Sequence, residues 1–158
     1  DVSKGITLDQ IRKAVKLTKI AKIETFGFFM LALPKDTKET MQQTIDFAKE
    51  INPDIANFAV TIPFPGTELY EIVKNEGKLI IDTCDGIDSG YYAIKEGVYE
   101  LDNLKKEDIL KYQKKAYRDF YLRPKKIINF LSNIKSFKEL KWSVETSIPL
   151  LKDVLKLK

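Results

Sequence analysis

The sequence has no histidine and only one cysteine, Cys84. Without histidine there is no imidazole general base, no serine–histidine–aspartate triad and no zinc site of the usual kind. A single cysteine excludes an internal disulfide and favours a reducing compartment, so the sequence predicts a cytoplasmic protein. No apolar run approaches the roughly 20 residues that a membrane-spanning helix needs.

Arginine is also scarce, although the net charge is +4. Only three of the 27 basic residues are arginines, namely Arg12, Arg118 and Arg123. Proteins that recognise nucleic acids usually depend on arginine forks. Here the lysines are mixed with acidic residues, which favours a solvated surface and no nucleic-acid partner. Arg118 or Arg123 could instead meet an anionic substrate.

Two further patterns are weak. Asp82, Asp85 and Asp88 recur every third residue, but they lack the glutamate and the spacing of a calcium loop. The sequence therefore predicts no metal ligands, and no residue stands out as catalytic. The segment 135–158 is amphipathic and basic, which favours packing on the domain over contact with a membrane surface.

The strongest pattern is a strand–helix–strand unit within residues 25–67. Two apolar runs, 23–33 and 55–62, predict parallel strands joined by an amphipathic helix. The first run is nearly continuous in apolar character, which predicts a strand buried on both faces. Asp36 with Glu39 predicts a capping box at the start of the helix, and Pro53 predicts its end. Ligands of such units bind where the strands end, here at 31–36 and 61–67.

The flanking segments are predicted to be mostly helical. Thr7 with Gln10 predicts a capping box that opens an N-terminal helix, with a left-handed exit at Lys22. The buried stripe expected on this helix comprises Leu8, Ile11, Ala14, Val15, Leu17, Thr18 and Ala21. Thr67 and Gly77 bound a short helix, residues 78–103 are expected to be irregular, and a long helix covers about 104–122. Pro124 and the Ser136–Glu139 capping box start two more helices.

The predicted class is α/β with two or so parallel strands and a mostly helical C-terminal extension. We expect three parts, residues 1–78, a cover loop at 79–103, and helices at 104–158. A two-stranded sheet is marginally stable by itself. Either a second copy of the chain or a larger sheet is therefore expected to complete it.

Two motifs carry a resemblance to a known family. Residues 28–40 are FFMLALPKDTKET, and residues 61–71 are TIPFPGTELYE. They resemble radical S-adenosylmethionine enzymes, in the subgroup with a cobalamin-binding domain that includes anaerobic magnesium-protoporphyrin monomethyl ester oxidative cyclases. Residues 101–124 are also similar to the C-terminal extension of that group, so the resemblance covers roughly residues 4–125.

The resemblance implies the C-terminal part of a partial (β/α)6 barrel of the TIM type, with the two strands as the fifth and sixth. It implies reductive cleavage of S-adenosylmethionine at a 4Fe-4S cluster, and cobalamin bound by an upstream domain. A cluster of this kind needs several thiolates, so this chain alone would not be catalytic. Its partner would be the N-terminal half of the barrel, and its substrate a small molecule. The alternative is a non-catalytic α/β module that associates through its sheet edge.

The residues that this resemblance assigns to the cofactor pocket lie at the two strand ends. Main-chain groups there would bond the adenine edge, and apolar side chains would cover its face. The family usually has glycine where Lys22, Ala32 and Lys35 stand, and a Cβ at Ala32 or Lys35 would crowd the ligand or require a different backbone. The assigned residues are Phe28, Met30, Ala32, Leu33, Pro34, Thr61, Ile62, Pro63 and Phe64.

Overall fold

The computed structural model describes residues 5–80 and 99–133, and its centre is a pair of parallel strands. β1 (Phe26–Leu31) and β2 (Ile55–Val60) pair over their full length, from Phe26 opposite Ile55 to Leu31 opposite Val60. α2 (Lys38–Ile51) joins them. The predicted α/β class and the predicted parallel pair are confirmed.

The other described elements surround this pair. α1 (Leu8–Ile20) precedes β1, and α3 (Glu68–Glu76) follows β2. β3 (Gly77–Leu79) and β4 (Tyr99–Leu101) form a small antiparallel pair. α4 (Lys106–Tyr121) and α5 (Pro124–Asn133) complete the described part. No helix within the described ranges is long and apolar enough to cross a membrane.

The helices of the described residues cover one face of the β1–β2 sheet. The covered face carries Phe29, Leu31 and Phe58, which pack against α2 and α4. The opposite face exposes Phe26, Phe28, Met30 and Ile55. The prediction that the first strand is buried on both faces is therefore wrong for the described residues, because the described helices lie on one side of the sheet.

Local signals placed most helix ends correctly. Thr7 and Gln10 form the predicted capping box, and Lys22 has a left-handed backbone with φ of 56°. Thr67 is the N-cap of α3, and Gly77 is its C-cap, as the sequence predicts. The buried stripe predicted for α1 is wrong, because no residue of α1 is buried and Leu8 and Leu17 are each 55% exposed.

The start of α2 differs from the prediction by one residue. Thr37 is the N-cap, and Thr37 and Thr40 exchange the two hydrogen bonds of the box. Asp36 is not the cap, because its carboxylate bonds to the Leu33 N–H and the Thr40 hydroxyl. Glu39 therefore does not close the box.

The segment predicted to be irregular has strands at both ends. Leu79 lies opposite Tyr99 and Gly77 opposite Leu101, so β3 and β4 pair across the segment. Tyr99 and Leu101 form a second apolar cluster with Val73 of α3. Residues 81–98 and 134–158 lie outside the described residues, and with them Cys84, the aspartates at 82, 85 and 88, and the Ser136–Glu139 box. The division into three parts stays a prediction.

Candidate functional site

The carboxyl ends of β1 and β2 lie side by side. The Leu31 carbonyl oxygen accepts two hydrogen bonds from Thr61, one from its backbone N–H and one from its hydroxyl, each at 3.0 Å. The two strand ends are therefore linked directly, as a parallel pair with equal strand lengths requires. The corners that follow them, residues 32–36 and 61–67, become neighbours.

The first corner is a tight turn held by its own side chains. Ala32 has a left-handed backbone with φ of 63°. The Asp36 carboxylate accepts the Leu33 N–H at 2.9 Å, and the Asp36 N–H returns a bond to the Leu33 carbonyl at 2.8 Å. The Thr40 hydroxyl donates to the other carboxylate oxygen of Asp36 at 2.9 Å. This network fixes the direction in which the chain leaves β1.

A second layer of contacts reaches the same corner from the β3–β4 region. The Tyr99 hydroxyl donates to the Ala32 carbonyl oxygen, and the Asn103 side chain donates to the Asp36 carbonyl at 2.9 Å. Burial, with a smaller contribution from the Asp36 carboxylate, raises the pKa of Tyr99 well above its ordinary value. The phenol therefore stays protonated and remains a donor at neutral pH.

The second corner is closed by Thr67. Its N–H and its hydroxyl both donate to the Phe64 carbonyl oxygen, at 3.1 and 2.6 Å. Gly66 between them has φ of 83°, a conformation that glycine adopts without strain. Pro63 is fully buried, and Ile62 packs against the cluster that contains Tyr99.

The assigned pocket residues therefore differ in accessibility. Ala32 and Pro63 are buried, whereas Phe28 is 73%, Met30 42% and Phe64 45% exposed. The remaining four are partly buried, namely Leu33, Pro34, Thr61 and Ile62. What faces solvent is an apolar wall on β1 and one aromatic ring at the second corner.

Two main-chain groups expected to bond a ligand are already engaged. The Ala32 carbonyl oxygen accepts a hydrogen bond from the Tyr99 hydroxyl, and the Leu33 N–H donates to the Asp36 carboxylate. The expectation that the main chain of this corner bonds an adenine edge therefore does not extend to the Leu33 N–H, whereas the Ala32 carbonyl oxygen can accept one further bond. The apolar side chains of Phe28 and Met30 carry no such restriction and fit the face of an aromatic ring.

Three residues of α4 close the outer edge of β2, a role that the sequence alone does not assign to them. The Tyr121 hydroxyl bonds to both backbone groups of Ala56. The Phe58 N–H donates to the Tyr117 hydroxyl at 3.2 Å, and Gln113 donates to the Phe58 carbonyl at 3.0 Å. These three residues recur every fourth position, so they share one face of the helix. That spacing of hydrogen-bonding side chains was the signal available in the sequence.

The outer edge of β1 has no such cover in the described residues. Thr25 and Leu31 accept bonds from β2 through Ile55 and Thr61, so the odd-numbered residues of β1 turn their backbone groups toward β2. The backbone groups of Phe28 and Met30 point the other way. β1 has β2 as its one strand partner in the described sheet.

The arginines considered for anion binding are engaged elsewhere. Arg123 donates to the Lys49 carbonyl and the Asn52 side chain, so it caps the end of α2. Arg118 pairs with Asp119. Among residues 5–80 and 99–133, no group of three histidine, cysteine or carboxylate side chains could hold a metal ion.

Comparison with known proteins gives a consistent group of relatives, although no family model matches the sequence. The chain is 35% identical over 127 residues to an uncharacterized methyltransferase of Pyrococcus horikoshii, which covers 80% of this chain and 27% of the relative. It is 27% identical over 121 residues to the anaerobic magnesium-protoporphyrin IX monomethyl ester cyclase of Rubrivivax gelatinosus, which covers 77% of this chain and 20% of the relative.

A third relative is the bacteriochlorophyllide d C-8(2)-methyltransferase of Chlorobaculum tepidum, 25% identical over 138 residues, with 84% of this chain and 30% of the relative covered. The chain thus spans less than a third of the length of each of these relatives. The cyclases to which the two motifs pointed are among them. The chain is therefore related to a group of proteins that includes methyltransferases and anaerobic magnesium-protoporphyrin IX monomethyl ester cyclases.

Proposed function

We propose that this chain forms the C-terminal part of the catalytic barrel of a radical S-adenosylmethionine enzyme. In this proposal β1 and β2 are the fifth and sixth strands of a partial (β/α)6 barrel. Their carboxyl ends contribute one wall of the S-adenosylmethionine pocket. The related cyclases and methyltransferases support the proposal, and so does the position of the two family motifs at adjacent strand ends.

The observation that carries the proposal is the one-sided packing of the sheet. Helices cover its outer face, and the opposite face presents Phe28 and Met30 to solvent. The β2 edge is closed by α4, whereas the outer edge of β1 has no strand partner within residues 5–80 and 99–133. A segment of barrel wall has these features, with helices outside, an apolar lumen face and one edge ready for a further strand.

The exposed side of α1 agrees with this arrangement. Leu8, Leu17 and Ile20 are between 55% and 69% exposed, although α1 is amphipathic. In a βαβ unit the helix that leads into a strand packs across that strand and its parallel neighbour. α1 would therefore bury its apolar side once a further strand lies beside β1.

The chain's own residues fit one part of the cofactor's requirements. Phe28 and Met30 can cover the face of a purine, while the Leu33 N–H already donates to Asp36 and is not available to bond its edge. The cluster must be ligated elsewhere, because one cysteine cannot supply its thiolates. When bound beside that cluster, S-adenosylmethionine supplies radical chemistry to a small-molecule substrate. Binding of cobalamin by another domain and a cytoplasmic location belong to the same proposal.

The test compares two substitutions in the full-length enzyme with its cluster reconstituted. Met30→Glu places a charge in the proposed pocket wall, and Ile128→Glu makes the same change at an exposed apolar position of α5. We expect Met30→Glu to weaken S-adenosylmethionine binding by roughly tenfold or more, since the bound ligand would cover the new carboxylate and remove its water without giving it a partner. Ile128→Glu should leave the dissociation constant unchanged. Equal affinity of Met30→Glu and the parent protein would contradict the proposal.

The open β1 edge also favours a second candidate, a module that associates with another copy of itself. Sedimentation of the chain would then show a dimer. Phe28→Pro removes a backbone donor that points away from β2, so it should abolish that dimer while the β1–β2 pair stays intact. A folded monomer at all concentrations would rule out this candidate.

A further inference from the structure

Tyr99 lies outside β1 and β2, and its side chain links the two corners of the candidate site. Its ring is fully buried in the cluster that also contacts Ile62 of the second corner. Its hydroxyl crosses to the first corner and donates to the Ala32 carbonyl oxygen. The two corners follow different strands. A residue that bonds to one corner and belongs to the cluster packed against the other helps to set their separation, in addition to the Thr61–Leu31 bonds.

The backbone of Ala32 has an unfavourable conformation that the bond from Tyr99 helps to hold. Its φ of 63° lies in the left-handed region, where the Cβ of an L-residue is crowded by its own backbone. Asp36 and Thr40 stabilise this turn through bonds within residues 33–40. These bonds do not set the distance between the Ala32 corner and the second corner. Asn103 bonds the Asp36 carbonyl from outside, but it is exposed.

We propose that Tyr99 is a positioning residue that holds the left-handed Ala32 corner at a set distance from the second corner and thereby shapes the pocket at the strand ends. The inference rests on the proposed function for the identity of the ligand, S-adenosylmethionine. The tether itself is a property of the fold. Tyr99 acts without contacting the ligand. Its hydroxyl donates to the Ala32 carbonyl oxygen, and its ring is buried in the cluster with Val73 and Leu101.

Tyr99→Phe tests the tether because it removes the hydroxyl and keeps the packed ring. Tyr112→Phe is the matched control, since Tyr112 is a partly buried tyrosine packed against the first cluster. In the full-length enzyme we expect Tyr99→Phe to raise the KM for S-adenosylmethionine roughly fivefold or more, with kcat nearly unchanged, as loss of one hydrogen bond predicts. The Leu33 amide should exchange with solvent faster by a similar factor. Tyr112→Phe should change neither.

Glycine at position 32 separates the tether from local backbone strain. Glycine adopts a left-handed backbone without strain but restores no bond to residue 99, so Ala32→Gly in the Tyr99→Phe background should recover stability while the KM stays raised. Full recovery of the KM would overturn the positioning role. If Tyr99→Phe does not fold, the same double variant should restore folding, and its failure to do so would overturn the inference.

The outcomes also separate this inference from the proposed function. An unchanged KM in Tyr99→Phe would overturn the positioning role, even if the Leu33 amide exchanged faster, because the hydroxyl would then serve stability alone. If the parent enzyme bound no S-adenosylmethionine, the proposed function and the pocket role would both fail. Exchange at Leu33 would in that case still show whether the tether to Ala32 exists.

Discussion

The hydroxyl of Tyr121 bonds to Ala56 twice. It accepts the backbone N–H at 3.0 Å and donates to the carbonyl oxygen at 2.8 Å. Tyr117 and Gln113 satisfy the backbone of Phe58 in the same way, one and two turns earlier in α4. Side chains of a helix thus occupy hydrogen-bonding positions that a neighbouring strand would otherwise fill, which ends the sheet at β2.

Tyr121→Phe should destabilise the protein by about 1–3 kcal/mol, since it leaves two backbone groups of β2 without their partner. The loss appears as a lower midpoint in urea with an unchanged slope. The Ala56 amide should also exchange faster. Tyr112→Phe serves as the control, and equal midpoints for the two variants would show that the edge contacts contribute nothing.

The first corner gives a second prediction. Asp36→Ala removes the acceptor of the Leu33 N–H and of the Thr40 hydroxyl, so it should cost about 1–3 kcal/mol of unfolding free energy. Asp102→Ala, at an exposed position, should change stability by less than about 0.5 kcal/mol. Thermal or urea unfolding of both variants checks this. A larger effect at Asp102 would mean that the turn is not held as described.

Elements whose signals are local can be predicted from the sequence. The Thr7–Gln10 box, the left-handed Lys22 and the α5 start at Pro124 each depend on a few adjacent residues. The α2 cap was misassigned because Asp36 and Thr37 are both good capping residues, and Thr37 takes the cap once Asp36 is drawn to Leu33 and Thr40.

What depends on distant contacts could not be derived in this way. The exposure of Phe28 follows from which face the helices cover, and an apolar run does not contain that information. Tyr99 reaches Ala32 across 67 positions of sequence, and buried Gln113 meets Phe58 across 55. Each pairing exists because β4 and α4 pack where they do, so the sequence does not reveal the contacts that support the strand ends.

The dependence of stability on pH gives a third prediction, at Asp54. Burial raises the pKa of its carboxyl group, but hydrogen bonds from the Thr25 N–H and hydroxyl, both at 2.8 Å, outweigh burial and leave the pKa below its ordinary value. The folded state therefore binds this proton more weakly than the unfolded state. The stabilisation is present above about pH 4 and is lost as the pH falls through the lowered value.

Urea unfolding of the parent and of Asp54→Asn between pH 7 and pH 2 tests this prediction. The parent should be more stable at pH 7, and the difference in unfolding free energy should shrink below about pH 4. A difference in unfolding free energy that stays constant, or that grows as the pH falls, would show that the ionised Asp54 carboxylate does not stabilise the folded state through its bonds with Thr25.

The most direct test of the central claim is hydrogen exchange of the full-length, cluster-containing protein with and without S-adenosylmethionine. We predict slower exchange at residues 30–34 and 61–64 when the cofactor is bound, and no change in α5 at residues 124–133. Those two segments are the adjacent ends of β1 and β2. Binding of S-adenosylmethionine with no added protection at either strand end would contradict the account.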